Sequence, residues 1–379
     1  MTESLNILNV NATIDPVYGG GTAERTVQLS KACSSLGHNV TVLSLSSKYS
    51  QTAAGTLSKA GVEVVLLNTV SERFFFPFPF HKKIKNAVRV SDIVHIMGHW
   101  TLINFLVCFY CRLYNKPYVF CPAGALPIFG RSKLIKKIYN LLFGHMVISR
   151  ASGYIAITPD ELSSFRDSGV VDTNVRVIPN AVWLDEYDVD NEEASNIDQF
   201  KPYILFLGRL NEIKGPDLLL SAFISVSEDY PEVNLVFAGP DGGAEKYLRD
   251  EVLKADIGHR VFFIGHVAGA AKRDFYRHSL FLAIPSRQEA MSLVAIEAGA
   301  CSAPVLLTDV CGFDVSSFEG GLVVKPSVKA LAEGLESMLS NTNLKNMGIN
   351  MHSFISENYT WPIVTKKLLI FYKEILLKG

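Results

Sequence analysis

Residues 185–208 read "DEYDVDNEEASNIDQFKPYILFLG", and two patterns meet inside them. The first 17 residues are acidic, poor in apolar side chains and free of periodicity, which is the composition of a linker or surface excursion. "YILFLG" (203–208) then reads as a buried strand ending on a glycine. If strands of that kind stand on both sides of the break, the chain holds two similar domains.

They do. Upstream, "NILNV" (6–10), "NVTVLSL" (39–45), "VEVVLL" (62–67), "DIVHIM" (92–97), "YVFC" (118–121) and "GYIAI" (153–157) alternate with helical patterns, including one from Thr22 to Leu36, one from His81 and a basic one from Arg131. "TPDE" (158–161) reads as a capping box, with Thr158 as N-cap and Pro159 at the first helical position. Downstream, "VNLVFAG" (233–239), "VFFIG" (261–265), "LFLAIPS" (280–286), "PVLLTD" (304–309) and "GLVV" (321–324) repeat the scheme. Such alternation builds βαβ units on parallel sheets, so the expectation is α/β with two doubly wound domains, 1–184 and 185–357. "TWPIVTKKLLIFYKEILL" (360–377) closes the chain as an amphipathic helix.

The bulk figures agree with two cores. A chain of 379 residues, 48% hydrophobic and 19% charged, exceeds the roughly 250–300 residues at which a single core stops growing. The longest apolar run, "LINFLVCFYC" (102–111), is half of the roughly 20 residues a membrane-spanning helix needs. "MTESLNILNV" has an acid where a secretory signal carries bases, so a cytoplasmic location is expected. Six scattered cysteines form no disulfide framework, and Cys108 and Cys111 read as buried thiols, not zinc ligands.

A net charge of -1 gives no general affinity for nucleic acid, but it hides an asymmetry. Residues 1–185 hold 18 Lys+Arg against 11 Asp+Glu, while residues 73–150 hold 12 against the single acid Asp92.

Open α/β sheets bind ligands outside the carboxyl ends of their strands, so motifs just after strands carry the functional reading. "YGGG" (18–21) precedes a helix and lets a ligand approach the backbone of Gly20 and Gly21. A dinucleotide fingerprint is excluded because Glu24 stands where its third glycine would, and no Gly-Lys-Ser/Thr is present. "GRLNEIKG" (208–215) offers the planar fork of Arg209 and the point charge of Lys214, a match for a diphosphate. In "SRQEAMSLVAIEAGACSAPVLLTD" (286–309), a helix beginning near Met291 would free the N–H groups of Ala290, Met291, Ser292 and Leu293 for an anion or hydroxyl, with Glu289 at the mouth. Helical spacing sets Glu297 two turns further in, nearer 12 Å from Glu289 than the roughly 5 Å of a retaining glycosidase. Glu297 could accept from both hydroxyls of a ribose.

Taken in order, "YGGG", "GRLNEIKG", "LVFAGPDGG" (235–243) and "PSRQEAMSLVAIEAGACSAPVLLTD" (285–309) resemble the retaining GT-B glycosyltransferases of family 4, including their E-x7-E signature at Glu289 and Glu297. The resemblance implies GT-B architecture, two Rossmann-like domains facing a central cleft, with acceptor on the first, donor on the second and the last helix, 358–379, returned to the first. It implies that Arg209 and Lys214 hold the donor diphosphate, Glu297 the ribose and Glu289 the transferred sugar. Gly239 would lie in the donor pocket, His266 and Val267 at the base, and His99 of "HIMGHW" (95–100) at the reacting sugar. The family's usual Gly-x-Gly after the first acid is replaced by Ala290, Met291 and Ser292, and Ser302 stands where the family has Gly. Side chains at 290 and 292 would narrow the sugar pocket.

The implied reaction is transfer of a hexose, with retention, from a nucleotide diphosphate sugar to a saccharide or lipid-linked saccharide in cell-surface glycan synthesis. UDP-sugars are favoured over GDP-sugars, and no cofactor or metal is expected, since no acidic cluster stands near the motifs. "RFFFPFPFHKKIKNAVR" (73–89) and the basic helix in "GRSKLIKKIYNLLFGHMVISR" (130–150) set aromatic and aliphatic residues beside lysines, as on a surface that meets anionic lipid. A peripheral enzyme at the inner face of the cell membrane follows. A nucleotide-sugar epimerase on the same fold, or a non-enzymatic membrane-associated relic, are the alternatives.

Overall fold

The computed structural model describes residues 4–15, 19–47, 49–69, 81–128, 133–187 and 197–378. The chain divides into two compact units, Met1–Asn180 with Trp361–Gly379, and Ala181–Thr360.

Unit 1 carries strands β1 (Asn6–Val10), β2 (Asn39–Leu45), β3 (Glu63–Leu67), β4 (Ile93–Met97), β5 (Tyr118–Cys121), β6 (Gly153–Ala156) and β7 (Val175–Val177). They form one sheet in the order β3-β2-β1-β4-β5-β6-β7, with parallel pairings throughout. Every residue of β4, β5 and β6 is buried, as expected of a parallel sheet covered by helices on both faces. Sequence order reverses between β1 and β4, so the loops after these strands diverge and leave a crevice at their carboxyl ends. Gly20, Gly21 and His99 follow those two strands.

Unit 2 repeats the plan with β8 (Tyr203–Leu207), β9 (Asn234–Ala238), β10 (Val261–Gly265), β11 (Phe281–Ile284), β12 (Val305–Thr308) and β13 (Gly321–Val324), in the order β10-β9-β8-β11-β12-β13. Its reversal lies between β8 and β11. Arg209 and Lys214 follow the first, and Glu289 follows the second.

The closing helix, Trp361–Leu376, belongs to unit 1 and buries Trp361 and Tyr372 completely. It reaches β6 because residue 153 is glycine: a Cβ there would lie 2.6 Å from Phe371 Cζ and 2.8 Å from Ile375 Cδ1. The Tyr372 hydroxyl and His95 Nδ1, on β4, are 2.6 Å apart.

Two helices differ from the sequence reading. The helix after β6 starts at Glu161, with Asp160 as N-cap, not at Thr158. The buried Glu161 carboxylate accepts from the N–H of Ile157 (2.6 Å) and from that of Gly124, so it fastens the loop after β5 to the loop after β6. The basic helix runs on from Lys133 to Ser149, but a five-residue π turn, Asn140–Gly144, interrupts its α register between Lys133–Tyr139 and His145–Ser149. Residues 73–80 and 130–132 of the basic stretches, and 188–196 of the linker, lie outside the described residues.

Candidate functional site

In unit 2, the loop after β8 is shaped by its own side chains. Asn211 Oδ1 accepts from the Lys214 N–H (3.0 Å) and caps the short turn Glu212–Lys214. Gly215 ends that turn at φ +68, where a Cβ would lie 2.0 Å from Pro285 O. Only glycine lets the loops after β8 and β11 come this close. Gly239 does the same one strand over: at φ +145, a Cβ would stand 1.9 Å from Gly208 O.

That approach brings Lys214 Nζ to 2.6 Å from Glu289 Oε1. Ser286 Oγ donates to the other carboxylate oxygen at 3.0 Å. The pair is partly buried, with side-chain exposures of 32% for Lys214 and 12% for Glu289. Arg287 braces the same junction, forking onto both Asp217 oxygens (2.7 and 2.6 Å) and onto Glu212 O. Arg209 is exposed, its stem laid over Gly242.

The helix after β11 runs Leu293–Ala300 with Ser292 as N-cap, so it starts later than the sequence suggested. The Ser292 N–H is taken by Cys311 O (3.0 Å), which leaves it no part in the expected row of free N–H groups. Ser292 is fully buried and Met291 5% exposed, so neither side chain stands in open space. Ala290 is half-buried. Glu289 precedes the helix, so the 12 Å helical separation from Glu297 does not apply.

Glu297, the fifth residue of that helix, pairs with Lys272 Nζ (2.5 Å) and accepts from the Tyr276 hydroxyl (2.8 Å). Both partners lie on the helix Gly269–His278, one turn apart on one face. Sequence reading missed them, although a Lys and a Tyr four residues apart just beyond "GHV" is the signal that finds them. His266 is exposed and Val267 half-buried at the carboxyl end of β10.

In unit 1, Gly20 and Gly21 are exposed at the start of the helix Gly20–Ser35, and among the described residues no neighbouring atom lies within 4 Å of a Cβ placed on Gly20. His99 does not stand open at the end of β4. It is 1% exposed, walled by the rings of Trp100, Phe120 and Tyr139 at centroid distances of 4.5, 5.6 and 5.5 Å. Its Nε2 lies 2.8 Å from Asn140 Oδ1. Burial pushes the imidazole down to about 4, with the Asn140 bond pulling the other way, so His99 is neutral at physiological pH.

Among the described residues no group of three or more His, Cys, Asp or Glu is placed to hold a metal ion, and no helix is long and apolar enough to cross a membrane. All six cysteines are buried and free. In the basic segment, Leu134, Ile135, Ile138, Leu141 and Leu142 are exposed (47–82%) beside Lys133 and Lys137.

Two family models match the chain: Glycosyltransferase Family 4 over residues 19–186 and Glycosyl transferases group 1 over residues 189–352. The D-inositol 3-phosphate glycosyltransferase of Rhodococcus erythropolis is 32% identical over 245 residues, which are 60% of this chain and 55% of that protein. The matching region thus spans about half the length of such relatives. Among solved structures, Anabaena HepE in complex with UDP and glucose superposes with a TM-score of 0.79 at 16% identity, over 98% of this chain and all of that one. Sucrose-phosphate synthase from Thermosynechococcus elongatus gives 0.76 at 18%, over 99% and 100%. With the fold thus shown to be GT-B and most of the length taken up by the two models, the chain belongs to the family 4 glycosyltransferases.

Proposed function

We propose that the chain is a retaining hexosyltransferase whose second unit holds a nucleotide diphosphate sugar, with Lys214 and Glu289 at the reacting bond. The observation that carries this reading is their 2.6 Å contact at the strand-order reversal, made possible by Gly215. The UDP and glucose bound to Anabaena HepE support a UDP-sugar as donor, with GDP-sugars next in line.

Lys214 and the exposed Arg209 face the diphosphate, and Glu289 takes hydroxyls of the sugar beside it. As the glycosidic bond lengthens, charge grows on the β-phosphate. A preoriented cation stabilises that charge without reorganising, an effect of about 3–4 kcal/mol per donor. Glu297 receives the ribose. A carboxylate has about four lone-pair directions, and Lys272 and Tyr276 fix its orientation while leaving others for two hydroxyls. Gly239 supplies backbone close to the ligand, the start of the helix Leu293–Ala300 contributes helix dipole, and His266 with Val267 lies near the base; on unit 1, Gly20 and Gly21 offer exposed backbone to a ligand of that unit. No metal takes part in this scheme.

The acceptor belongs to unit 1. The exposed apolar residues of 134–142 among lysines favour a saccharide carried on lipid, approached from the cytoplasmic face of an anionic bilayer in cell-surface glycan synthesis. Each lysine near such a surface contributes about 1 kcal/mol. Release of nucleoside diphosphate from UDP-, GDP- and ADP-sugars, in chelator and with the saccharide acceptor varied, tests the reading. Turnover of one nucleotide class supports it, and an isomerised donor or silence from all three rejects it.

A further inference from the structure

Arg209 and Lys214 stand on one loop but are held differently. Lys214 meets Glu289, so its charge is already paired. The exposed guanidinium of Arg209 has no ion-pair or hydrogen-bond partner among the described residues. No polar contact therefore sets its direction, and an arginine that must be ordered on binding loses affinity to entropy.

Packing of its stem takes that part. Leu210, the next residue, is buried and laced to the loop after β9. Its N–H donates to Pro240 O (3.0 Å), and its carbonyl accepts from the N–H groups of Gly242 (2.9 Å) and Ala244 (3.1 Å). The loop after β9 is also fixed from within: Asp241 Oδ1 accepts from the N–H of Gly243 (2.7 Å) and from that of Glu245 (3.1 Å), where the helix Glu245–Lys254 opens. With both backbones tied, the two residues flanking Leu210 are pressed onto Gly242. A Cβ there would lie 2.8 Å from Arg209 Cγ, 3.0 Å from Arg209 Cδ and 2.9 Å from Asn211 Cβ.

These neighbours would not yield equally. Asn211 is anchored, because its Oδ1 caps the turn that carries Lys214, and its Cβ is one bond from the main chain. The Arg209 stem is flexible and unanchored at its far end, so a methyl group at position 242 would turn that stem aside.

We propose that Gly242 is the positioning residue of Arg209: the space left by its missing side chain is the slot in which the arginine stem lies, and that slot aims the unpaired guanidinium. This rests on the reading that Arg209 faces the donor diphosphate, and it names the residue that sets the approach. Gly242 acts through the arginine.

Side-chain 15N spectra of the ligand-free, full-length protein test the slot without any nucleotide. The Arg209 Nε–H resonance, assigned by its loss in Arg209→Ala, is expected to show an ordered group in wild type although no polar partner holds it. In Gly242→Ala it is expected to shift and become mobile, while the backbone N–H of Lys214 stays in place. Gly243→Ala is the control. At φ +102 a side chain strains the same loop, but among the described residues no neighbouring atom lies within 4 Å of that Cβ position. It is expected to lower the melt and leave the Arg209 resonance unmoved.

Calorimetric titration with UDP reads the consequence. Arg209→Ala is expected to weaken binding roughly 10–100-fold, the scale of a charge-assisted hydrogen bond, and Gly242→Ala about tenfold. The double variant is expected to bind less than twofold weaker than Arg209→Ala alone, because the stem on which the methyl group acts is gone. With Lys214→Met, by contrast, the loss from Gly242→Ala should multiply, as for independent sites. An Arg209 Nε–H as mobile in wild type as in Gly242→Ala, or losses that multiply with Arg209→Ala, overturns the proposal. The wild-type spectrum decides even if a variant does not fold. An ordered Arg209 in a protein that binds none of UDP, GDP and ADP rejects the diphosphate reading instead and leaves the hold of Gly242 on the stem standing.

Discussion

Lys214 Nζ and Glu289 Oε1 lie 2.6 Å apart although 75 residues separate them, because the loops after β8 and β11 are pressed together at Gly215 and Pro285. A partly buried ion pair is weak evidence for a stabilising role, since desolvation offsets much of its attraction. Its position, at the strand-order reversal where α/β sheets take ligands, points to recognition.

The contact depends on Gly215, so Gly215→Ala tests its geometric origin. A side chain at φ +68, with its Cβ 2.0 Å from Pro285 O, forces the two loops apart. The expected cost is about 2–3 kcal/mol, read as a lower thermal midpoint together with weakened nucleotide binding. Gly55→Ala serves as the opposite control: this exposed glycine of the helix Ser50–Lys59 has nothing near its Cβ position, and the change should stabilise by up to about 1 kcal/mol. Equal melts for wild type and Gly215→Ala would remove the argument.

Glu297 is held by Lys272 and Tyr276, so its loss should act on binding and not on the chemical step. Glu297→Gln, Lys272→Met and Tyr276→Phe are each expected to weaken UDP binding about tenfold, or about 1.4 kcal/mol, with kcat at saturating donor nearly unchanged. Calorimetric titration with UDP measures it. A kcat collapse at unchanged affinity would place Glu297 at the reacting bond.

Buried histidines make stability depend on pH. Burial lowers His95 from 6.5 to about 3 and His99 to about 4. The unfolded chain then binds more protons than the folded one below pH 6.5, so the stability associated with each neutral ring is complete above 6.5 and is lost as pH falls from there towards the folded value. Each ring should cost about 2 kcal/mol by pH 5, since one unit is 1.36 kcal/mol. Urea midpoints from pH 5 to 8 measure this, and replacing His95 or His99 by Gln should flatten the slope. A slope unchanged in both variants would contradict it.

The exposed apolar face of residues 134–142 should carry the protein onto membranes. Wild type is expected to float with phosphatidylglycerol vesicles at low salt and to sink at high salt, where screening removes the attraction. Leu134→Ser with Leu141→Ser, or Lys133→Glu with Lys137→Glu, should abolish flotation without changing the melt. A wild type that stays down at low salt would refute the membrane face.

Much of the fold was legible because parallel strands bury both faces and so leave unbroken apolar runs, as in β4 and β11. The E-x7-E spacing likewise marked both acids of the candidate site. Less visible was whatever depends on pairing across sequence. Glu161 looks like a capping-box acid, yet its carboxylate ties the loop after β5 to the loop after β6, and no local rule shows that. The π turn at Asn140–Gly144 has no periodicity signature, since one inserted residue looks like noise in a five-residue window. His99 read as a residue facing substrate, but an aromatic wall built from three separate segments encloses it.

The most direct test is the rate of nucleoside diphosphate release from UDP-, GDP- and ADP-glucose in chelator, compared between wild type and the variants Lys214→Met and Glu289→Gln. The account predicts metal-free turnover of one nucleotide by wild type and a loss of roughly 100–1,000-fold in each variant, the scale of removing one preorganised group. Variants that turn over as fast as wild type, with melts intact, would contradict it.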